Sequence, residues 1–489
     1  MMLRMALISA MLCAAISAAT AQSQWTPVQN VPNIGAGAMA LLTDGRVLVH
    51  DESGNPGTWG NWWTLTPNIN GNYASGTWTQ VASLPANYGP LYFASAVLPD
   101  GRYLIEGGEY NLGAPSWTNK GAIYDPVANS WTSVSPPSGW ASIGNGPSTV
   151  LANGTYFLGS CCSSSPSAAL LDASTLTWTG TGSGKFDTYD TEGLTLLPGG
   201  NVIDVDTYNG VNDPSGKNWE TYSPTTGTWA VQGTTPVQLW NSCEGTHYIG
   251  PAVLTANGTL FQAGANACGP GNTAIYTVSS ASWVAGPAFP DNLDIASGPA
   301  ALEINGNVLM MASLGSGLAT GATFFEWNGS TLNEITGPPN APNDDSYQGH
   351  MLMLPNEQIL FTDFSDDVEL FTSTGSTYTG WTPSVLLQTT TLRSGNTVRL
   401  SGFKFNGASQ NNAYGSGFQD ATNYPLVRFT NSAGQVYYAR THNHSTMAVG
   451  YNGPTFTYVD IPSNIPAGAY MLQIVSNGIA SPDYLVGVE

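Results

Sequence analysis

Short apolar segments recur along most of the chain, and each of them follows a pair of turn-forming residues. Six of the seven pairs are Asx-Gly or Gly-Gly, and successive pairs lie 46 to 58 residues apart, with a mean spacing of 52. The seven pairs are Asp44-Gly45, Asp100-Gly101, Asn153-Gly154, Gly199-Gly200, Asn257-Gly258, Asn305-Gly306 and Asn356-Glu357. Such pairs between apolar runs are typical of β-hairpins with type I′ turns. The pattern therefore predicts seven copies of one hairpin.

A series of tryptophans runs in step with the hairpins. Each one follows a serine or threonine, and the members are Trp78, Trp131, Trp178, Trp229 and Trp283. A four-stranded unit of about 50 residues with one such aromatic is typical of a kelch-type β-propeller blade. We expect these tryptophans to pack between blades. Leu332 continues the series more weakly, and both Trp25 and Tyr378 fit the strand that closes the ring. The sequence does not choose between them.

The repeat changes character near Trp381. From there to the C-terminus, alternating strands are separated by turns rich in Gly and Pro, which is typical of an immunoglobulin-like sandwich. The sequence therefore predicts an all-β protein with two domains. A seven-bladed kelch β-propeller covers residues 22–381, and an immunoglobulin-like β-sandwich covers residues 382–489.

The first residues are typical of a secretory signal peptide. Arg4 supplies the positive start, Met5–Ala19 is short and apolar, and Ala19-Thr20-Ala21 fits a cleavage site. We therefore predict that residues 1–21 are removed and that the protein is extracellular or periplasmic. No other segment approaches the ~20 apolar residues of a membrane-spanning helix, so we expect no transmembrane segment.

The four cysteines that remain after cleavage predict disulfides, because the protein is expected outside the cytosol. Cys243 and Cys268 flank the fifth hairpin almost symmetrically, which favours a bond across its mouth. Cys161 and Cys162 are adjacent in the sequence. They could form a vicinal disulfide near the channel, or remain two thiols, or pair with another molecule.

The charge is strongly unbalanced. The chain has 32 acidic and 11 basic residues and a formal net charge of −21, which argues against a nucleic-acid partner. Residues 22–381 carry −23 and residues 382–489 carry +1, so the excess belongs to the propeller. Many acidic residues come just before the first strand or just after the second strand of a hairpin. The hairpin pattern therefore predicts that they lie around the mouth of the channel on the face opposite the turns. Three interpretations stay open: solvated loops, bound Ca²⁺, or a cationic or hydroxyl-rich ligand.

Histidines are few, and all five are predicted in loops or at strand starts. They are His50, His247, His350, His442 and His444. His442 and His444 share one face of an extended segment, because side chains alternate along a strand, and such a pair can hold a metal. The alternative is a hydrogen-bonded loop at the interface between the two domains.

The architecture and several motifs resemble the galactose oxidase and glyoxal oxidase family. Tyr92 lies where that family places a copper-binding tyrosine cross-linked to a cysteine, and Tyr110 lies at the position of an aromatic residue that stacks on the cross-link. Tyr347 matches the axial tyrosine, and His442 within Arg440–Thr446 matches a histidine ligand. The resemblance implies a loop of the second domain inside the channel and copper held by tyrosine and histidine.

Two key positions depart from the family pattern. Ala36 stands where the resemblance places the cross-linking cysteine. Gln348 follows Tyr347 where a histidine is expected, and His350 comes two residues later. A rearranged mononuclear metal site would use Tyr347, His350, His442 and His444, with copper as the candidate ion, whereas calcium is the candidate for the acidic mouth.

These observations lead to one main functional hypothesis and two alternatives. The main hypothesis is a secreted, monomeric galactose oxidase-like protein that lacks radical-copper activity and binds glycan or another extracellular ligand at the acidic mouth. The alternatives are a copper-dependent oxidase of alcohols or aldehydes and a structural or adhesive envelope protein. The candidate ligand-binding residues are Tyr92, Tyr110, Tyr347, Gln348, His350, His442 and His444, and the candidate catalytic residues are Tyr92, Tyr347 and His442.

Overall fold

The seven hairpins form the two inner strands of seven antiparallel sheets arranged as the blades of a propeller. The computed structural model describes residues 24–163, 165–207, 215–241, 248–266, 268–269, 271–315, 319–386, 389–416, 418 and 420–489. The protein is an all-β propeller followed by a β-sandwich, as the sequence predicts. The predicted signal peptide, residues 1–21, lies outside the described residues.

Each blade has four strands, and their order runs from the innermost strand outward. Blades 1 to 4 consist of Ala36–Leu41, Val47–Asp51, Trp62–Thr66 and Thr77–Gln80; Ala94–Val97, Tyr103–Glu106, Gly121–Asp125 and Ser130–Val134; Ser148–Val150, Tyr156–Gly159, Ala168–Asp172 and Thr177–Thr181; and Thr195–Leu196, Val202–Val205, Asn218–Ser223 and Thr228–Thr234. Blades 5 to 7 consist of Ala252–Leu254, Thr259–Ala263, Thr273–Thr277 and Ser282–Ala285; Ala300–Leu302, Val308–Leu314, Ala319–Trp327 and Leu332–Ile335; and His350–Met353, Gln358–Thr362, Glu369–Thr372 and Gln24–Pro27.

The outer strand of blade 7 comes from the N-terminal end of the described chain. Residues Gln24–Pro27 pair antiparallel with Glu369–Thr372, so Trp25 rather than Tyr378 supplies the closing strand. The Trp25 ring packs against Phe371, with ring centroids 5.0 Å apart. The circle is thus closed by a strand remote in sequence, which completes the four strands of blade 7.

The Asx-Gly turns are not of the predicted type I′, which requires a positive φ at both central residues. In the first turn Gly45 has a φ of 82°, whereas Asp44 is not among the residues with a positive φ. The Gly45 N–H donates to the carbonyl of Leu42, as in a three-residue hairpin loop with a left-handed glycine. The Asp44 carboxylate instead accepts the N–H of Arg46 at 3.1 Å, which explains the preference for Asp and Asn at this position.

The tryptophans connect neighbouring blades, as expected. The indole N–H of Trp131, on the outer strand of blade 2, donates to the carbonyl of Ala82 in the segment that follows blade 1. Its ring lies 5.3 Å from that of Trp62, which is fully buried. Burial of such large rings provides much of the apolar contact that holds the blades together.

Strands between Ser384 and Val488 form the sandwich. Its strands are Ser384–Leu386, Thr391–Leu392, Thr397–Phe403, Leu426–Asn431, Val436–His442, Pro454–Asp460, Gly468–Ser476, Ile479–Ala480 and Tyr484–Val488. The sandwich contacts the turn face of the propeller, where Arg440 donates from Nη2 to the carbonyl of Asp100 at 2.7 Å. The Trp381 indole likewise donates to the carbonyl of Ala256, beside the fifth turn.

A segment of the second domain enters the channel and reaches the opposite face. Its short strand Asn412–Ala413 pairs with Ala300–Leu302, the innermost strand of blade 6. Side-chain amides of this segment satisfy backbone groups of the inner strands. The Gln410 oxygen accepts the N–H of Leu196, and the Asn411 amide donates to the carbonyl of Leu302. The segment therefore lies along the channel axis and supplies hydrogen-bond partners for the backbone groups at the edges of the innermost strands.

Helical structure in the described residues takes the form of short 3₁₀ turns, at Pro56–Thr58, Pro290–Asn292, Ala341–Asn343, Ser346–Gln348 and Thr379–Trp381. Within the part of the chain that the structure describes, no helix has the length and apolar character needed to cross a bilayer.

Candidate functional site

A cavity of about 180 Å³ lies at the end of the channel away from the hairpin turns. Its walls come from residues that precede an inner strand or follow the second strand of a blade, together with the channel segment of the second domain. The lining residues are Tyr92, Glu109, Tyr110, Asn145, Tyr248, Ala296, Ser297, Tyr347, Tyr414 and Ser416. The structure thus brings together Tyr92, Tyr110 and Tyr347 as the sequence predicts, and adds two further tyrosines.

Neighbouring tyrosine rings in the cavity wall are steeply inclined to each other. Tyr92 is inclined at 67° to Tyr110 and at 65° to Tyr347, with ring centroids 6.1 and 6.4 Å apart. Tyr92 itself has a φ of 53°, an uncommon value for a residue other than glycine. Its carbonyl accepts the N–H of Glu109 at 3.0 Å, which fixes this unusual backbone beside the cavity. Strained backbone held in this way is common at binding sites.

Burial disfavours the phenolate form of four of the cavity tyrosines, namely Tyr92, Tyr248, Tyr347 and Tyr414. Burial raises the pKa values of Tyr92, Tyr248 and Tyr347, and nearby acidic and tyrosine side chains add to the effect. Burial raises the pKa of Tyr414 well above its ordinary value, and its hydroxyl donates to the carbonyl of Tyr347. These side chains therefore offer aromatic surface and hydroxyl groups rather than phenolate charge.

Two buried polar atoms in the wall have no hydrogen-bond partner among the described residues. They are Oδ1 of Asn145 and Oγ of Ser297, whose residues are 5% and 8% exposed. Buried polar groups are usually paired, and leaving one unpaired costs about 1–3 kcal/mol. Both atoms are therefore suited to hydrogen bonds with a bound molecule.

Glu109 places a half-buried carboxyl in the same wall. Burial raises its pKa, and the charge of Asp190 raises it further. Asp190 lies behind the rim, where its Oδ1 is 3.5 Å from Sγ of Cys162. Cys161 and Cys162 are joined by an S–S bond of 2.07 Å. The other predicted pairing involves Cys243, which lies outside the described residues.

His350 is not a wall residue. It is buried behind Tyr414, and the two rings stack with centroids 4.8 Å apart and planes at 12°. Its Nδ1 lies 3.3 Å from the carbonyl oxygen of Gln348, and burial lowers its pKa, so the ring is neutral. Phe418 packs edge-on against the imidazole. His350 therefore supports the wall from behind, which corrects its prediction as a ligand of the cavity.

The structure separates His442 and His444 from the cavity, contrary to the predicted metal set. His442 ends a strand of the sandwich and contacts Asp460, with Nε2 3.2 Å from Oδ1. The backbone N–H of His444 donates to the carbonyl of Pro99, beside the second hairpin turn. Because the sandwich docks on the turn face, this loop lies at the far end of the channel. The loop that carries His442 and His444 therefore matches the alternative interpretation, a hydrogen-bonded loop at the interface between the two domains.

The remaining copper positions do not fit either. The side-chain oxygen of Gln348 accepts the N–H of Asp345 at 2.8 Å, so this residue caps a 3₁₀ turn instead of facing the cavity. Ala36 is fully buried in the first blade and can form no thioether. Tyr92 and Tyr347 thus lack both the cysteine and the histidines that the resemblance implies, and the donor set does not fit copper.

Two other groups of potential metal ligands occur within the described residues. One is Cys161, Cys162 and Asp190, whose sulfurs are used in the disulfide. The other is Asp187, Asp206 and Glu220, whose carboxylates surround the ammonium of Lys185. This second group already holds a cation from the chain itself, so the acidic residues there form an internal ion cluster.

Several solved structures align with this chain. The chain aligns with a fungal alcohol oxidase of the AA5 family in complex with copper at a TM-score of 0.56 and 14% identity, covering 95% of this chain and 99% of the oxidase. The extracellular domain of a hybrid two-component system protein from B. thetaiotaomicron aligns at a TM-score of 0.48 and 11% identity, covering 96% of this chain and 59% of that one. YjhT aligns at 0.38 and 15%, covering 71% and 96%.

The likeness to the oxidase shows a galactose oxidase-like fold and nothing finer. No protein-family model matches this sequence. No curated protein matches it either.

Several wall residues were not predicted from the sequence. Tyr414 and Ser416 belong to the second domain, within a polar run that starts at Ser409 in a region expected to contain sandwich strands. That run was the available signal, because a strand of a sandwich core does not carry four consecutive polar residues. Asn145 and Ser297 carry no motif, and only the fold reveals them.

Proposed function

We propose that this protein is secreted and binds a small polyhydroxylated molecule, one sugar ring in size, in the tyrosine-lined cavity. The observation that carries the proposal is the pair of buried polar atoms in an aromatic wall, Asn145 Oδ1 and Ser297 Oγ, which have no partner among the described residues. A sugar has hydroxyls that can pair with such atoms and apolar ring faces that pack on aromatic side chains.

The size of the cavity supports a single small ring. Pockets for drug-sized ligands span roughly 300–1,000 Å³, whereas this cavity measures about 180 Å³. A longer glycan would then place one terminal unit in the cavity and the rest outside. The seven-bladed frame and the channel segment fix the wall residues on rigid elements, so that little ordering accompanies binding.

The proposal assigns no radical-copper chemistry to the site. The two tyrosines expected near copper line the cavity, but the histidines lie behind the wall or at the opposite face. Loading the protein with copper and measuring bound metal and peroxide formation from alcohols tests this part. Stoichiometric copper together with peroxide production would overturn it.

Binding is tested with a panel of monosaccharides and alditols, using ligand-detected NMR and calorimetry. Asn145→Ala should weaken binding roughly tenfold, because about 1.4 kcal/mol of hydrogen bonding is lost. Tyr110→Leu should weaken it as well. Matched controls are Asn333→Ala and Tyr451→Leu, which change exposed residues far from the cavity. No binding across the panel, or equal effects of the wall and control substitutions, would refute the proposal.

A further inference from the structure

The described residues that line the cavity provide no counter-ion for the carboxyl of Glu109. Among the described residues it forms no salt bridge, and the lining residues include no Lys, Arg or His. Burial raises the pKa of the Glu109 carboxyl, and the negative charge of Asp190 raises it further. A bound cation would relieve both the desolvation and the repulsion.

The tyrosines surround the same space with rings set at steep angles to each other. Tyr92 makes angles of 67° and 65° with its neighbours Tyr110 and Tyr347. A cation within about 6 Å of an aromatic face is attracted by the electrons of the ring, and several inclined rings can contact one cation together. Burial disfavours the phenolate forms of Tyr92 and Tyr347, so these rings attract a cation without forming a permanent ion pair with it.

We propose that the cavity selects a sugar that carries a free ammonium group, such as a 2-amino-2-deoxyhexose, over its neutral counterparts. This inference rests on the proposed function and deepens it. The ammonium binds at Glu109 among the tyrosine rings, while the hydroxyls of the same ring pair with Asn145 and Ser297. Neither a simple ammonium ion nor a neutral sugar uses both halves of the wall.

Three ligands that share one ring test this selectivity: glucosamine, N-acetylglucosamine and glucose, measured at pH 6, where an amine of this kind is protonated. We expect glucosamine to bind at least about tenfold more tightly than the other two, since tenfold in affinity is about 1.4 kcal/mol, which one hydrogen bond to a charged group can supply. The preference should decrease when the salt concentration rises from about 20 to about 200 mM, because the site is open at the rim.

Three variants assign the preference to Glu109. Glu109→Gln should bring glucosamine to the affinity of glucose, whereas Glu109→Asp should retain part of the preference. Glu334→Gln removes one exposed carboxylate on the outer strand of blade 6 and should leave the preference unchanged. Thermal melting of each variant confirms that it is folded.

The outcomes separate the two proposals. Equal affinities for all three ligands would overturn ammonium selection and leave sugar binding in place. Equal loss of the preference in Glu109→Gln and Glu334→Gln would overturn the assignment to the cavity wall. If none of the three ligands, and no sugar or alditol of the wider panel, binds at millimolar concentration, both proposals fail together.

Discussion

Replacing Lys185 by methionine should destabilise the protein more than any other single loss of a cation in the described chain. The Lys185 ammonium is fully buried and donates to Asp187, Asp206 and Glu220 at 2.8, 2.7 and 3.0 Å. Asp204 and Glu192 lie 3.0 and 3.4 Å away. All three N–H donors are therefore used, and five carboxyl groups depend on one positive charge.

The expected cost follows from this geometry. Methionine keeps the apolar stem of the side chain but leaves the carboxyl groups buried without their cation. Breaking a buried ion pair by removing one partner costs about 3–5 kcal/mol. Unfolding entropy of about 2.1 cal/mol/K per residue amounts to about 1 kcal/mol/K for a chain of this length, so Tm should fall by about 3–5 °C.

The pH dependence gives a sharper test than the size of the effect. Burial raises the pKa of Asp187 to about 7 and that of Glu220 to about 9, even with Lys185 present. Without Lys185 these carboxyls hold their protons still more strongly in the folded state. Stability from a carboxyl with a raised folded pKa is present at low pH and is lost as pH rises. Lys185→Met should therefore cost less at pH 5 than at pH 8.

Differential scanning calorimetry or thermal circular dichroism at both pH values measures the effect. Lys120→Met is the matched control, because this lysine is exposed beside blade 2 and its ammonium donates to a backbone carbonyl, that of Asn87, at 2.6 Å. Equal Tm values for the two variants at pH 7 would refute the reasoning. A larger loss for Lys185→Met at pH 5 than at pH 8 would refute the assigned role of the carboxyls.

Three further predictions concern the frame. Gln410→Ala should destabilise the protein by about 1–3 kcal/mol in urea titration, because it leaves the N–H of a blade 4 inner strand without its acceptor. Gly101→Ala should lower Tm more than Gly306→Ala does. Both glycines have a positive φ, so the backbone strain is shared. A Cβ at Gly101 would lie 3.1 Å from the carbonyl oxygen of Thr441, whereas a Cβ at Gly306 would have no atom within 4 Å. The free energy of unfolding of the wild type should fall between pH 5 and pH 8, because buried carboxyls with raised pKa values favour the folded state only while they are protonated. A Tm that rises over this range would contradict this prediction. The carboxyls with pKa values raised to about 7–9 are Asp187, Glu220, Glu303, Asp344 and Glu369.

The repeating part of the fold follows from local signals, and the site does not. Each hairpin pair, such as Asp44-Gly45, encodes its own turn, and seven of them at a mean spacing of 52 residues specify blades without any long-range information. Closure by Trp25 could not be decided, because the competing positions share the same local pattern. The long-range pairing of Gln24–Pro27 with Glu369–Thr372 settles it in the structure.

The histidine predictions failed for a related reason. His442 and His444 match a motif, but a motif does not state which end of the channel its domain occupies. Docking of the sandwich on the hairpin turns decides that, and it directs a different segment, with Gln410 and Tyr414, through the channel. The polar character of that segment is visible in the sequence, yet its meaning depends on the inner strand edges that it satisfies.

The structure differs most from the sequence-based prediction in where the acidic side chains lie. Much of the charge expected at the mouth belongs to carboxyls buried inside blades or beside the channel, where burial raises their pKa values and favours the neutral form. These include Glu106, Glu192 and Asp204. The formal charge of −21 therefore overstates the field at the mouth. A diffuse acidic surface would attract any cation, whereas a single carboxyl at Glu109, set among neutral tyrosines, can discriminate between ligands by where their positive charge lies.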